Sequence, residues 1–265
     1  MTQLGFIGVG NMGGAIIEGL LTQPTMTAAN FIMSGGTGPR TKALQQKTGI
    51  KLTTNKDVAA MADILVLGVK PIIMPSVLAE IKTELLKSPQ TLIITIAGSL
   101  TIASYEEQLS TAIKLVRIMP NTPVSVGEGM MSIVPNQNVS AAELATVEAL
   151  FAPLGQTVVI EERLMDVTAA LAGSAPALID MFIESLADGA VAKGLPRQLA
   201  YDMATQTLIG SAKLMQVSKL HPGELKDQVC SPGGTTIEAV KTLEKHNFRY
   251  AVIDAIGRCV DKAKE

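Results

Sequence analysis

Short apolar runs alternate with segments of helical spacing along the chain up to about residue 160. Leu4 to Gly8, Phe31 to Ser34, Ile64 to Val69, Leu92 to Ala97, Leu115 to Met119 and Thr157 to Ile160 read as strands. Met130 to Val134 adds another, bracketed by the turn signals Asn121-Thr122-Pro123 and Pro135-Asn136. Strands that alternate with helices predict a mostly parallel, doubly wound α/β sheet. After Glu161 the period changes. Leu164 to Ala192 reads as one long helix rich in Ala, Leu and Met, Gly194-Leu195-Pro196 as a break, and Gln198 to Leu214, Thr236 to Lys245 and Phe248 to Lys262 as further helices. The expected division is an α/β domain over 1–161 followed by an all-helical domain over 162–265. So much apolar helix exceeds what one small core needs, which suggests burial against a second subunit; a helical bundle folded on itself is the alternative.

The first strand leads directly into Gly8-Val9-Gly10-Asn11-Met12-Gly13, a Gly-x-Gly-x-x-Gly turn that opens onto a helical run. Each glycine answers a separate requirement of a Rossmann-like dinucleotide site. Gly8 permits the tight turn, Gly10 lets the backbone approach a pyrophosphate, and Gly13 allows close helix-to-strand packing. The helix that follows offers unpaired N–H groups and a partial positive charge to the phosphates. A flexible turn is the bland alternative, weakened by the position between first strand and first helix.

The chain has 265 residues and 47% hydrophobic content, enough for a substantial core. Net charge of -2, 3% aromatics and no Trp argue against a nucleic-acid partner. No uninterrupted apolar run reaches the ~18 residues of a membrane span, and no leader pattern precedes the first strand, so no membrane is expected. Cys230 and Cys259 cannot form a disulfide framework, which points to the cytoplasm. Cys230 has no base assigned to it by sequence and reads as a small, partly buried residue rather than a nucleophile. His221 and His246 stand in no triad or metal-ligand spacing, so no metal is expected; His221 organises the turn before Pro222.

An NAD site normally carries Asp or Glu at the end of the second strand. Between Glu18 and Asp57 this chain has none, and the second strand runs into Ser34-Gly35-Gly36-Thr37-Gly38-Pro39-Arg40-Thr41-Lys42. Hydroxyls, amides and cations suit a 2'-phosphate, and Arg40 could bind one in bidentate fashion unless it is simply a solvated surface arginine. NADPH is therefore the expected cofactor, with NADH the alternative.

Gly68-Val69-Lys70-Pro71, Arg117-Ile118-Met119-Pro120-Asn121-Thr122-Pro123 and Cys230-Ser231-Pro232-Gly233-Gly234-Thr235-Thr236-Ile237 tell more together than apart. With Leu171-Ala172-Gly173-Ser174-Ala175-Pro176-Ala177, Ala187-Asp188-Gly189, Lys193-Gly194-Leu195-Pro196 and the stretch from His221-Pro222 through Asp227, they resemble pyrroline-5-carboxylate reductase over essentially the entire chain. The resemblance implies NAD(P)H-dependent reduction of the cyclic imine 1-pyrroline-5-carboxylate to L-proline, the last step of proline biosynthesis. It also implies a Rossmann domain followed by a helical domain that forms homodimers and often larger rings of dimers. Three positions depart from the familiar pattern: Gly36 stands where some relatives carry a phosphate-binding Ser, Ala97-Gly98-Ser99 replaces Ala-Ala-Gly, and Ala175 stands where Gly is common.

The expected cofactor contacts are Ile7, Gly8, Val9, Gly10, Asn11, Met12, Ser34, Gly35, Gly36, Arg40, Asn55, Gly68, Val69, Lys70, Pro71, Ala97, Gly98 and Asn121. For Asn55 and Asn121 turn chemistry is the alternative, and Lys70 reads as cofactor contact or loop support rather than a catalytic group. The small-molecule imine falls to Val229, Ser231, Gly233, Gly234, Thr235 and Thr236. Here the turn should present the N–H groups of Gly234 to Thr236 unpaired at a helix start, an anion seat for the substrate carboxylate. Thr236 is the expected catalytic residue, orienting the imine nitrogen; N-capping of the helix by Thr235 or Thr236 is the alternative. No strong acid is strictly required, since an iminium formed in water can simply be bound and positioned.

A β-hydroxyacid dehydrogenase would use the same first turn, but its catalytic Lys has no counterpart in the helix Ala169 to Gly189. A nucleotide sensor without turnover would need no carboxylate seat.

Overall fold

The computed structural model describes residues 2–36 and 38–263; Met1 and Thr37, one of the hydroxyls expected beside the second strand, lie outside them. The chain divides into two compact units, Met1–Gly173 and Ser174–Glu265.

In the first unit β1 (Leu4–Ile7), β2 (Phe31–Ser34), β3 (Lys51–Leu52), β4 (Ile64–Leu67), β5 (Leu92–Thr95) and β6 (Lys114–Met119) are parallel. β7 (Gly129–Pro135) runs antiparallel to β6, and β8 (Gly155–Val159) pairs parallel with β7. The sheet order is β3-β2-β1-β4-β5-β6-β7-β8, so the order reverses between β1 and β4, where open α/β sheets bind ligands. Successive side chains point to opposite faces. Phe6 and Val66 therefore join the core beneath α1 (Asn11–Leu20), α2 (Pro39–Thr48) and α6 (Ala141–Phe151), while Ile7 and Leu67 join the core beneath α3 (Asn55–Met61), α4 (Met74–Lys87) and α5 (Ile102–Gln108). Burial on both faces explains why β4 is apolar throughout and β1 carries only Gly5 beside its apolar residues.

The expected mostly parallel sheet is present. β3 escaped the sequence pattern because two residues carry no periodicity. β7 reverses because only a short 3-10 turn, Thr122–Val126, separates it from β6, and a parallel return needs a longer crossover.

The helix expected over 164–192 is not uniform. A short helix α7 (Met165–Thr168) passes into a π-helical turn, Ala169–Ser174, before α8 (Ala175–Val191). Pro176 supplies the cause: it has no N–H to give the carbonyl four residues earlier, and its ring crowds that carbonyl. The remaining helices are α9 (Arg197–Ser218), α10 (Pro222–Val229), α11 (Thr235–Lys245) and α12 (Phe248–Ala263). Gly194, at φ +97°, turns the chain between α8 and α9, and the Phe182 and Phe248 rings meet at 5.9 Å.

Taken alone, the second unit buries little. Among its described residues only Ala187, Ala200 and Ala204 are buried, whereas Met181, Tyr250 and Ile253 are 64%, 70% and 67% exposed. Leu178, Met181, Phe182, Phe248 and Val252 line an open apolar groove of about 270 Å³. The helical run Glu162–Val191, 30 residues with mean hydropathy 1.3 in its most apolar window, is long and apolar enough to cross a membrane by length and composition alone. Asp166, Asp180 and Glu184 interrupt it, so it is not an unbroken apolar run. Exposed apolar surface of this extent on a charged, amphipathic helix is also what a subunit interface needs.

Candidate functional site

At the carboxyl end of β1 the glycine turn meets its three requirements one by one. Gly8 sits at φ +93°, and a side chain there would lie 2.6 Å from the Val69 backbone nitrogen. Its N–H donates to the Ser34 carbonyl at 3.0 Å, joining the ends of β1 and β2. A Cβ at Gly13 would sit 2.6 Å from the Gly8 carbonyl oxygen, so the helix can approach the turn only without one. At Gly10 a Cβ would meet nothing within 4 Å: the space beside that backbone is open. Gly10 is also the N-cap of α1, whose first turn carries no acidic residue. The positive end of the helix is thus unneutralised and reachable by an anion, a fit to a pyrophosphate.

Ile7, Val9, Asn11 and Met12 belong to this strand, turn and helix start. Arg40, near the start of α2, donates to the Asn11 side-chain oxygen and so bridges the two helix entries. It is exposed, as a solvated arginine would be, but tethered over the glycine turn. Gly35 is packed against Thr41 and Val9, while a Cβ at Gly36 would meet nothing within 4 Å, so the space beside it is open. Ser34 is buried, and its hydroxyl donates to Asn55 Oδ1 at 2.7 Å. Asn55 is the first residue of α3, N-capped by Thr54, and its Nδ2 donates to Glu80 Oε2 at 2.8 Å. Gly68 donates to the Ile7 carbonyl at 2.8 Å, which sets Gly68 and Val69 beside Gly8. Lys70 stands at the start of the 3-10 turn Pro71–Ile73, exposed and without an ion pair among the described residues.

Beyond β5 the loop Ala97-Gly98-Ser99 is held from below. Arg117, on β6 and 4% exposed, donates through Nη2 to the Gly98 carbonyl and through Nη1 to Glu162 Oε1 at 2.9 Å. The same glutamate oxygen accepts from the Ile102 N–H at 2.8 Å. One buried guanidinium thus ties the loop after β5, the start of α5 and the segment preceding the π turn. Beside it Tyr105 is fully buried, and its hydroxyl lies 2.5 Å from that of Thr95. Burial pushes the phenol up to about 12 against the opposing pull of Thr95 and Arg117, so it stays neutral and does not supply protons at neutral pH.

Asn121 is buried, and its amide is engaged at both ends. Oδ1 accepts from the Met130 N–H at 2.9 Å, and Nδ2 donates to the Ala172 carbonyl at 3.0 Å. In an α-helix the donor to Ala172 would be the nitrogen of Pro176, which has no proton, and here the Asn121 amide donates to that carbonyl. Asn121→Ala should therefore lower stability by about 2 kcal/mol, since it removes the side-chain partner of two half-buried backbone groups. Thermal unfolding should fall by about 4–8 °C; an unchanged Tm would show that the amide carries no such role.

In the second unit His221 N-caps α10: its Nδ1 accepts from the Gly223 N–H at 3.0 Å, and Glu224 closes a capping box. The histidine organises the turn before Pro222, as its sequence context suggested. Val229 ends α10 and is exposed. Cys230 and Cys259 are free and half-buried. Gly233, at φ +68°, then turns the chain into α11. Here one expectation is corrected: the Gly234 N–H is not unpaired, because it donates to the Ser231 carbonyl at 3.0 Å to close the turn. The N-cap is Gly234 with no side-chain cap, so neither threonine caps the helix. Thr235 and Thr236 are its first two residues. Their N–H groups find no backbone carbonyl, and their hydroxyls no partner, among the described residues. The anion seat narrows to two amides and two hydroxyls.

Sequence reasoning quoted Arg117 without a role and missed Glu80 and Glu162. Glu80 meets Asn55 from 25 positions away and Glu162 meets Arg117 from 45, distances no spacing rule covers.

The family described as pyrroline-5-carboxylate reductase dimerisation matches residues 162–265, and that described as NADP oxidoreductase, coenzyme F420-dependent, matches residues 3–98. Pyrroline-5-carboxylate reductase of Escherichia coli is 41% identical over 264 residues, covering 99% of this chain and 97% of that protein. The Methanosarcina acetivorans enzyme of the same name is 39% identical over the same span. Among solved structures, Plasmodium falciparum pyrroline carboxylate reductase with NADP bound superposes at TM-score 0.89 with 35% identity, covering 99% of this chain and 97% of that one. The Coxiella burnetii pyrroline-5-carboxylate reductase superposes at TM-score 0.91 with 32% identity, at the same coverage.

Proposed function

The chain belongs to the pyrroline-5-carboxylate reductase family, and from that premise we propose that it reduces 1-pyrroline-5-carboxylate to L-proline, the reduced nicotinamide of NADPH supplying the hydride when bound. The observation that carries this reading is the start of α11, where the Thr235 and Thr236 amides and hydroxyls stand unengaged behind a glycine turn. Two N–H donors at a helix N-terminus suit the substrate carboxylate, the acid of that first turn, Glu238, being paired with Lys241. Thr236, half-buried one position further on, turns its hydroxyl to the imine nitrogen and holds or relays the proton there. Val229, Ser231, Gly233 and Gly234 frame the seat, the two glycines by shaping the turn.

The cofactor is held by Ile7 to Met12 at its pyrophosphate, by Ser34, Gly35, Gly36, Arg40 and Asn55 at its adenosine ribose and 2'-phosphate, and by Gly68 to Pro71, Ala97, Gly98 and Asn121 along its nicotinamide half. Asn121 acts through backbone and loop shape, its amide being engaged elsewhere. The proposed division is a dinucleotide domain over 1–161 and a dimerisation and substrate domain over 162–265, the span of the matched dimerisation family, whereas the compact units part after Gly173. The protein is a homo-oligomer; its apolar helical faces support a homodimer through the second domain, extendable to a ring of dimers. Two free thiols support a cytoplasmic site of action.

Following NADPH oxidation with pyrroline-5-carboxylate and then with a 3-oxo acid tests the assignment. Turnover of the imine alone is the expected result; turnover of the oxo acid would point to a dehydrogenase, and tight NADPH binding without turnover to a sensor. The same assay with NADH should give the lower kcat/KM, because no carboxylate follows β2; a clear preference for NADH would sink the cofactor reading.

A further inference from the structure

The stretch after β2 lacks an acid in sequence, yet a carboxylate reaches the ribose end of the cofactor site from α4. We propose that Glu80 is a positioning residue for the adenosine-ribose seat, setting which end of the Asn55 amide faces the cofactor. This rests on the reading of Asn55 as a cofactor contact.

An asparagine amide has a donor end and an acceptor end, and a serine hydroxyl can accept from the one or donate to the other. Ser34 alone could therefore pair with Asn55 in both orientations. Glu80 removes the choice. Its oxygen lies 2.8 Å from Asn55 Nδ2, and an inverted amide would bring carbonyl oxygen against carboxylate, two acceptors with no proton between them. The amide is held with Oδ1 on the Ser34 hydroxyl and one N–H on Glu80. Its second N–H is the group left for a ligand, a donor suited to a ribose or phosphate oxygen.

Glu80 does little else. The buried stripe of α4 is Met74, Val77, Leu78, Ile81 and Leu85, and Glu80 lies off it, exposed. Its removal should leave packing intact and act on the cofactor alone.

The test is steady-state kinetics on the full enzyme, with thermal unfolding to verify the fold. Glu80→Ala should raise KM for NADPH about tenfold, the loss of one oriented hydrogen bond, with kcat and the imine KM within about twofold of the parent. Glu80→Gln keeps an oxygen that accepts from Asn55 Nδ2 but adds a donor that tolerates the inverted amide, so it should recover only part of the KM, between the parent and Glu80→Ala. The proposal is overturned if Glu80→Ala leaves the NADPH KM within twofold, if kcat and the imine KM move with it, or if Glu80→Gln is as impaired as Glu80→Ala. Asn55→Ala separates the two levels. A raised NADPH KM there beside an unaffected Glu80→Ala removes only Glu80's role, whereas an unaffected Asn55→Ala removes the reading of Asn55 and the proposal with it.

Discussion

Thr236→Ala is expected to lower kcat/KM for the imine about a hundredfold, or about 2.7 kcal/mol of transition-state stabilisation, the scale of one oriented donor lost from a reacting centre. The KM for NADPH should not change, and neither should Tm. The hydroxyl has no partner among the described residues, and α11 is capped by Gly234, so the protein loses no hydrogen bond of its own. Thr236→Ser keeps the hydroxyl and should stay within about fivefold of the parent, the residual loss reflecting a freer rotamer. An unchanged kcat/KM in Thr236→Ala would refute the catalytic assignment and leave the two amides and the Thr235 hydroxyl as the substrate seat.

Arg117→Met should cost about 3 kcal/mol of stability, seen as a fall in Tm of about 6–12 °C. The figure is the low end for breaking a buried pair, because Arg117 is 4% exposed but Glu162 keeps 33% of its side chain in water. Methionine fills much of the same volume, so the loss comes from the unpaired Glu162 carboxylate and Gly98 carbonyl rather than from a cavity. The Arg117 Nε is itself buried without a hydrogen-bond partner among the described residues, so this pair is not fully satisfied to begin with. Adding Glu162→Leu should recover part of the loss, since deleting both partners removes the stranded charge; the Ile102 N–H, which also uses Glu162, prevents full recovery. A freed Ala97-Gly98 loop should also raise KM for NADPH. A single variant as stable as the parent would show that the network carries no weight.

Different parts of the protein were legible at different levels. Strand period, helix period and the change between them near residue 161 lie in contiguous residues, so the two architectures could be read directly. The Gly8, Gly10 and Gly13 requirements are equally local, being set by a positive φ, an open approach and a 2.6 Å contact within one turn. The likeness of the Ser-Pro-Gly-Gly-Thr-Thr turn to a known family named the reaction, which no periodicity could do.

What the sequence left undecided are pairings whose partners are far apart along the chain. That Glu80 holds Asn55, that Arg117 meets Glu162 and Gly98, and that Asn121 donates to the Ala172 carbonyl all depend on the sheet order, which sets the ends of β2, β5 and β6 beside elements dozens of residues away. Even within the second glycine turn the threonines' freedom was not readable. It required knowing that Gly234 both caps α11 and gives its own N–H to Ser231. The sequence by itself determined which backbone conformations and faces were available, because those are properties of neighbouring residues. Only the tertiary structure decided which polar groups are already satisfied and which are left for a ligand, because a hydrogen bond is a property of two places brought together by folding.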